Sequence, residues 1–148
     1  MMKKAVKIKK LNARATVPTY GSSSAAGADL YACLGSSVLI KPSETAMIPT
    51  GLALEIPDGY VGLIYARSGL ACREGLAPAN KVGVIDSDYR GEIVVALFNH
   101  SSEERTVEDG QRVAQLVITP YVTADFILSD ELGNTERGSG GFGSTGKK

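Results

Sequence analysis

The sequence contains little of the material from which metal centres, disulfide frameworks and membrane spans are built. It has no tryptophan, a single histidine (His100) and two widely separated cysteines, Cys33 and Cys72. So few possible ligands nearly exclude a zinc site built from this chain alone. Apolar and alanine-rich neighbours favour buried, inert thiols over a redox pair. Because no apolar run has the length of a signal peptide core or a membrane span, we expect a soluble, cytoplasmic protein.

An excess of charge of either sign is also absent, since 16 lysines and arginines balance 16 aspartates and glutamates. The chain therefore lacks the overall positive field that draws proteins to nucleic acid or to anionic membranes. Its partners must be recognised at local sites instead. A length of 148 residues fits one domain with a core of its own.

Short stretches with strand character recur between prolines and glycines, whereas helical periodicity is scarce. Many short strands with this punctuation indicate an antiparallel sandwich or barrel. Residues 68–74 can add one or two turns of helix. The predicted strands cover residues 6–9, 13–17, 38–40, 46–48, 52–56, 60–65, 105–107 and 112–119, with a possible last edge strand at 126–128.

The stretch 82–91 concentrates chemical groups, because it places an apolar run, two carboxylates, a tyrosine and an arginine between glycines. The β-branched residues before it and the apolar residues 92–98 after it predict a β-hairpin. An ordinary surface turn explains its Asp-Ser-Asp centre equally well. A calcium loop is excluded, since Arg90 and Leu97 stand where oxygen ligands belong.

Two further features suit a phosphate ligand. Arg67, Ser68 and Gly69 follow an apolar strand, and they supply a guanidinium, a hydroxyl and a glycine that lets backbone N–H groups approach an anion. A solvated turn at a strand end is the alternative. Gln115 interrupts another apolar strand, where its amide is costly to bury without a partner. An outward-facing position on an alternating strand explains Gln115 as well.

Residues 132–148 are rich in glycine and cannot form a core, so in isolation they are expected to be mobile. The spacing of Gly138, Gly140 and Gly143 matches a dinucleotide fingerprint, but no strand and helix flank it. A P-loop match fails because Lys148 stands where Ser or Thr should bind magnesium and no helix follows. Arg137 and Phe142 would suit closure over the phosphates and base of a nucleotide, and plain disorder is the alternative.

Taken together and in order, five segments of the chain resemble the five motifs of the trimeric deoxyuridine triphosphatases (dUTPases). The resemblance implies an all-β, jelly-roll-like antiparallel β-barrel with at most one short helix. It also implies a barrel domain at 1–131 with a mobile arm at 132–148, and a homotrimer whose sites are shared between subunits. The segments are residues 26–29, 66–71, 83–91, 110–116 and 137–146.

The resemblance implies magnesium-dependent hydrolysis of dUTP to dUMP and pyrophosphate, which limits uracil in DNA and supplies dUMP for dTMP synthesis. Asp86 would hold and deprotonate the water that attacks the α-phosphorus. Tyr89 would pack on the sugar and leave no room for a 2′-hydroxyl. Asn80 and the backbone of Val84 and Ile85 would recognise the uracil edge.

The remaining implied roles concern the phosphates, the metal and the arm. Asp29 would support Mg²⁺, through water molecules, with the ion held mainly by the triphosphate. Phe142 would stack on uracil, and Arg137 would meet the terminal phosphate. The residues implied to contact the nucleotide besides these are Arg67, Ser68, Gly69 and Gln115 for the phosphates and Gly140, Ser144 and Thr145 in the arm.

The chain departs from the family pattern at two positions: Ala66 replaces a common proline, and Gln111 replaces a frequent acidic residue. Asp88 and Arg90 are expected to be structural, as an ion pair that fixes the hairpin. One rival is a dCTP deaminase or a bifunctional deaminase and dUTPase, which this family resembles. Another is a non-catalytic nucleotide-sensing module on the same scaffold. The Asp-Ser-Asp-Tyr-Arg segment and the arm favour the hydrolase.

Overall fold

The computed structural model describes residues 3–141, and within them the chain forms eleven β-strands and one short helix, Leu70–Glu74. The predicted all-β, antiparallel class is therefore confirmed. None of the helical residues in this range forms a segment long and apolar enough to cross a membrane. The strands are β1 (Lys7–Lys10), β2 (Thr19–Tyr20), β3 (Ala28–Tyr31), β4 (Val38–Ile40), β5 (Thr45–Glu55), β6 (Tyr60–Tyr65), β7 (Leu76–Pro78), β8 (Gly83–Ile85), β9 (Glu92–Asn99), β10 (Arg105–Val107) and β11 (Arg112–Pro120).

The strands form three antiparallel sheets. One has four strands in the order β1-β5-β9-β7, one has five in the order β2-β3-β11-β6-β8, and β10 pairs with β4 in the third. Alternation along β9 shows how the core forms, since Ile93, Val95 and Leu97 are buried while the residues between them are only partly covered. Buried residues of all three sheets join in one hydrophobic cluster. Burial of each such aliphatic side chain stabilises the fold by about 1.5–3 kcal/mol.

The predicted hairpin at 82–91 is wrong in one respect. Its incoming strand, β8, pairs with β6 in the five-stranded sheet, whereas its outgoing strand, β9, lies between β5 and β7 in the four-stranded sheet. Both strands are apolar enough to be buried against larger partners, and those partners lie in different sheets. The Asp-Ser-Asp segment is therefore a crossing between two sheets, not a hairpin turn.

Other expectations also change. Residues 13–17 and 126–128 form no strand, and Phe126 and Leu128 are 93% and 98% exposed. The stretches 46–48 and 52–56 belong to one long strand, β5, whose register shifts between Pro49 and Ala53. Cys33 is buried as expected, but Cys72 is exposed, because its short helix lies at the surface.

The short helix packs directly behind the Arg67-Ser68-Gly69 segment. It has π-type geometry and ends at Gly75, whose φ of 71° is the left-handed conformation that favours glycine. Arg105 closes this end, since its Nε donates to the carbonyl oxygen of Glu74 at 2.9 Å. The C-terminal end of the helix is therefore fixed by Gly75 and Arg105.

The edge strand β1 is joined to β5 by an ion pair. Lys7 Nζ donates to Glu55 Oε1 at 2.8 Å, and this bond with the lysine charge lowers the pKa of the Glu55 carboxyl. A depressed carboxyl pKa contributes stability that is present above the unfolded-state pKa and is lost as the pH falls through the folded-state pKa. Since both groups are exposed, that contribution is small.

Candidate active site

The first cluster of polar residues lies on one face of the five-stranded sheet. Gln115 of β11 is opposite Asp29 of β3 on one side and Tyr65 of β6 on the other. A register shift between Arg112 and Ala114 inserts one extra residue into β11. Such a bulge re-aims side chains, and here the two intervening residues, Val113 and Ala114, are both buried while Arg112 and Gln115 stay on the accessible face.

Asp29 lies at the centre of this cluster and binds two arginines. Its Oδ1 accepts from Arg67 Nε at 2.8 Å, and its Oδ2 accepts from Arg112 Nη1 at 3.3 Å. Asp29 is only 9% exposed, a burial that an ionised carboxylate tolerates when it is paired and hydrogen-bonded. Arg67 Nη1 also reaches the carbonyl oxygen of Arg112 at 3.4 Å. Two guanidinium groups and one carboxylate leave the cluster with one net positive charge.

A specific hydrogen bond offsets the cost of burying the Gln115 amide. Its Nε2 donates to the carbonyl oxygen of Ala66 at 2.8 Å, so the amide ties β11 to the start of the Arg67-Ser68-Gly69 segment. Gly27 makes room for it, because a Cβ on Gly27 would lie 2.7 Å from Gln115 Oε1. A partner for the amide was expected if it faced inward, and the structure identifies this partner as a backbone carbonyl.

A groove of about 440 Å³ opens beside Arg67 and continues past the short helix. Three arginines line it, Arg67, Arg73 and Arg112, together with Tyr31 and Gln111. The sequence analysis did not single out Arg73, Arg112 or Tyr31. The position of Arg112 could have been found in the sequence. Arg112 and Gln115 flank two apolar residues, and this spacing breaks the two-residue alternation of a strand. Gln111 has a structural bond as well, in which its Oε1 accepts from the Glu108 N–H at 2.9 Å.

The second cluster is the crossing that follows β8. The Tyr89 N–H donates to the Asp86 carbonyl oxygen at 3.2 Å, so Asp86 and Tyr89 are the first and last residues of one β-turn. Arg90 Nη1 donates to the carbonyl oxygens of Ser87 at 2.6 Å and Tyr89 at 3.0 Å. The expectation of an ion pair between Arg90 and Asp88 is wrong. In the described part of the chain, the Arg90 guanidinium binds backbone oxygens of the turn instead.

The residues expected to contact a base lie at the edge of the five-stranded sheet. β8 is its outermost strand, and Val84 is 61% exposed. A strand at an edge presents alternate N–H and C=O groups that face no neighbouring strand. Asn80 precedes it in a tight turn in which Lys81 has a φ of 65°, and Gly83 leaves space for the Asn80 amide, whose Nδ2 would lie 3.3 Å from a Cβ on that glycine. Asn80, β8 and the turn with Asp86 therefore form one continuous surface.

Within one chain the two clusters lie apart. Ile85 is opposite Gly62 near the start of β6, whereas Gln115 is opposite Tyr65 at its end. At about 3.3 Å per residue, these positions are about 10 Å apart along the strand. β8 runs antiparallel to β6, so the chain carries Asp86 further from Arg67. The structure therefore brings Asp29, Arg67 and Gln115 together and leaves Asp86 and Tyr89 elsewhere.

The described part of the arm is exposed and has only local bonds. Arg137 Nε donates to the Gly140 carbonyl oxygen at 2.7 Å, and Gly138 between them has a φ of 52°. Phe142, Ser144 and Thr145, for which contacts with the nucleotide were expected, lie outside the described residues.

The possible metal ligands among the described residues do not form a metal site built from protein side chains. In residues 3–141 no three histidine, cysteine, aspartate or glutamate side chains converge as ligands. In the first cluster the carboxylate is that of Asp29, and both its oxygens already accept from arginines. This arrangement fits an ion such as Mg²⁺, which keeps several waters and is commonly bound through substrate phosphates with one or two carboxylates.

Comparison with known proteins identifies the family. Residues 13–146 match the family model described as dUTPase. A deoxyuridine 5′-triphosphate nucleotidohydrolase of Desulfitobacterium hafniense is 54% identical over 131 residues, which cover 88% of this chain and 87% of the relative. Its counterpart from Nautilia profundicola is 53% identical over 142 residues, covering 96% and 99%.

Solved structures agree with this match. A mutant dUTPase of Staphylococcus bacteriophage 80alpha with dUpNHpp has a TM-score of 0.88 at 28% identity, covering 97% of this chain and 99% of that one. A mutant dUTPase of phage phi11 of S. aureus, described as coordinating a structural Mg(II) ion, has a TM-score of 0.77 at 26% identity, covering 86% and 98%. The fold and the site thus define a nucleotide hydrolase. The chain belongs to the dUTPase family, and the expectation of a hydrolytic enzyme is confirmed.

Proposed function

We propose that the protein hydrolyses dUTP to dUMP and pyrophosphate, in a magnesium-dependent reaction in which water attacks the α-phosphorus. The observation that carries the proposal is the β-turn that fixes Asp86 and Tyr89 to one another. Such a turn holds a carboxylate for the water and an aromatic ring for the sugar in one rigid unit. The family and the two-cluster geometry support it. Limiting uracil in DNA and supplying dUMP would be the metabolic roles, and a cytoplasmic location remains a prediction.

Asp86 acts as the general base in this proposal. Its carboxylate is exposed at the start of the turn, so it can reach a water molecule and accept its proton. Tyr89 packs against the deoxyribose and fills the space that a 2′-hydroxyl would need. Asn80 and the backbone of Val84 and Ile85 pair with the uracil edge, and fixed donors and acceptors reject a base with the opposite pattern.

The cluster around Asp29 binds the triphosphate. Arg67 and Gln115 already lie together there. The Ser68 hydroxyl and the backbone N–H groups of Ser68 and Gly69 follow Arg67 directly in the chain. Bidentate guanidinium contacts suit phosphate oxygens. Bound Mg²⁺ would neutralise charge on the triphosphate, and Asp29 would support it through water molecules while it orients Arg67.

We propose further that the active sites are shared in a homotrimer, because one chain keeps its two clusters apart. Two apolar surfaces support association. The outer face of the four-stranded sheet carries Met47, which is exposed, beside the half-buried Val94, Ala96, Phe98 and Ala77 in neighbouring register, with Glu92 at the edge of this group. The segment 121–132 adds Phe126, Ile127, Leu128 and Leu132, all more than four-fifths exposed. Apolar surfaces of this kind mark interfaces.

The arm completes the site in this proposal, with residues 1–131 as the folded domain and 132–148 as the flexible closing segment. Arg137 would bind the terminal phosphate and Phe142 would stack on uracil. Gly140, Ser144 and Thr145 would add N–H or hydroxyl contacts. Closure of such a segment excludes water and fixes the substrate before reaction.

The test is pyrophosphate release measured with Mg²⁺ and each nucleotide in turn. We expect turnover of dUTP and little of UTP, dCTP or dTTP. Asp86→Asn should lower turnover by about 10² or more and keep binding of a non-hydrolysable dUTP analogue, because general base catalysis is lost and binding is not. Deamination of dCTP, or analogue binding without dUTP turnover by the wild-type protein, would contradict the proposal and favour the deaminase or the sensing module.

A further inference from the structure

Gly91 lies directly under the ring of Tyr89. A Cβ on Gly91 would overlap the Tyr89 hydroxyl and would lie 2.5 Å from its Cζ and 2.9 Å from its Cε2. These distances are shorter than any real carbon contact, so the ring occupies the space that every other residue type would fill. The backbone of Gly91 is not among those with positive φ. Glycine is needed here for space and not for a left-handed conformation.

The ring is held in this place from its other end as well. The Tyr89 hydroxyl donates to the Glu92 carbonyl oxygen at 3.0 Å, which folds the side chain back over residue 91. Its own backbone is fixed by the bond to Asp86 and by Arg90. The position of the ring therefore depends on three local hydrogen bonds and on the lack of a side chain at Gly91.

We infer that Gly91 is the positioning residue for Tyr89 and so sets the discrimination between deoxyribose and ribose. This inference rests on the proposed function, in which the ring fills the space of a 2′-hydroxyl. A pocket that merely surrounds a sugar rejects one added hydroxyl weakly. Strong rejection needs a ring that cannot move aside, and the contacts with Gly91 and Glu92 supply this restraint.

A methyl group at position 91 should displace the ring without unfolding the protein. The atoms that it would meet are the far end of a side chain with two torsions, and Tyr89 is 45% exposed, so the ring can swing into solvent. The turn bonds of Asp86 and Arg90 do not involve the ring and would remain. Gly91→Ala should therefore lower the selectivity for deoxyribose over ribose and leave the protein folded.

The experiment compares Gly91→Ala with Gly35→Ala, which adds the same methyl group where nothing lies within 4 Å and φ is not positive. The readouts are the melting temperature and the ratio of kcat/KM for dUTP to that for UTP. We expect similar melting temperatures and a ratio that falls about tenfold or more in Gly91→Ala only, since small displacements at a reacting substrate have effects of this size. An unchanged ratio in a folded Gly91→Ala protein would overturn the inference.

A double-mutant cycle shows whether Gly91 acts through Tyr89. In a Tyr89→Ala background the ring is already absent, so adding Gly91→Ala should leave the ratio unchanged. A further fall would mean that Gly91 acts by another route and would contradict the inference. The wild-type protein separates the two levels of the argument. If it does not prefer dUTP to UTP, the proposed function fails, whereas an equal dUTP-to-UTP ratio in wild type and Gly91→Ala removes only the role of Gly91.

Discussion

At the scale of single residues, glycines decide where two functional side chains lie. Gly27 leaves room for the Gln115 amide, and Gly91 leaves room for the Tyr89 ring. In neither case is a positive φ involved. In the sequence Gly27 lies between two alanines, and only the folded chain shows that it is a neighbour of Gln115.

Gly27→Ala should weaken substrate binding. Its Cβ would displace the Gln115 amide, which would lose its bond to Ala66, and a hydrogen bond of this kind contributes about 1 kcal/mol. If that loss falls on phosphate binding, KM for dUTP rises about fivefold. Gly21→Ala, with nothing within 4 Å of the new methyl group, is the control. Equal KM values for the two variants would show that Gln115 needs no such space.

At the scale of elements, the strand pattern was largely predictable and the strand pairing was not. Residues 60–65 and 105–107 form strands as the alternation and punctuation indicate. The hairpin failed because periodicity describes one strand at a time, and pairing depends on which sheet offers the larger apolar face. The bulge in β11 was visible as broken alternation, yet its effect of placing Arg112 beside Asp29 needed the register with β3.

The outer face of β5 and β9 should be an interface between subunits. Met47 is 64% exposed in the single chain, so Met47→Asp should fold, but its carboxylate would be buried unpaired if this face meets another subunit. We expect a monomer by native mass spectrometry and loss of dUTP turnover. Leu39→Asp, on the two-stranded sheet and 53% exposed, is the matched control and should remain assembled and active. A fully assembled, active Met47→Asp protein would show that this face does not take part.

At the scale of the whole molecule, the distance between the two clusters is the main feature. The motifs predict a function for a set of residues whose order in the chain cannot show that they form two groups. They are Asp29, Arg67, Gln115, Asp86 and Tyr89. That division follows from the antiparallel pairing of β8 with β6, which directs Asp86 away from Arg67. In the homotrimer that we propose, a shared site would let both groups act on one nucleotide.

The most direct test of the shared site is complementation between two inactive variants. Asp86→Asn lacks the base in one cluster, and Arg67→Gln lacks a phosphate contact in the other. Co-expressed with different tags and purified as mixed trimers, they should regain about a third of the wild-type turnover. Whichever variant supplies two of the three chains, one site in three takes its Asp86 and its Arg67 from chains that keep these residues. Asp86→Asn co-expressed with itself under the two tags is the control that should regain none. Mixed oligomers of Asp86→Asn and Arg67→Gln that stay inactive would contradict a site built from two chains.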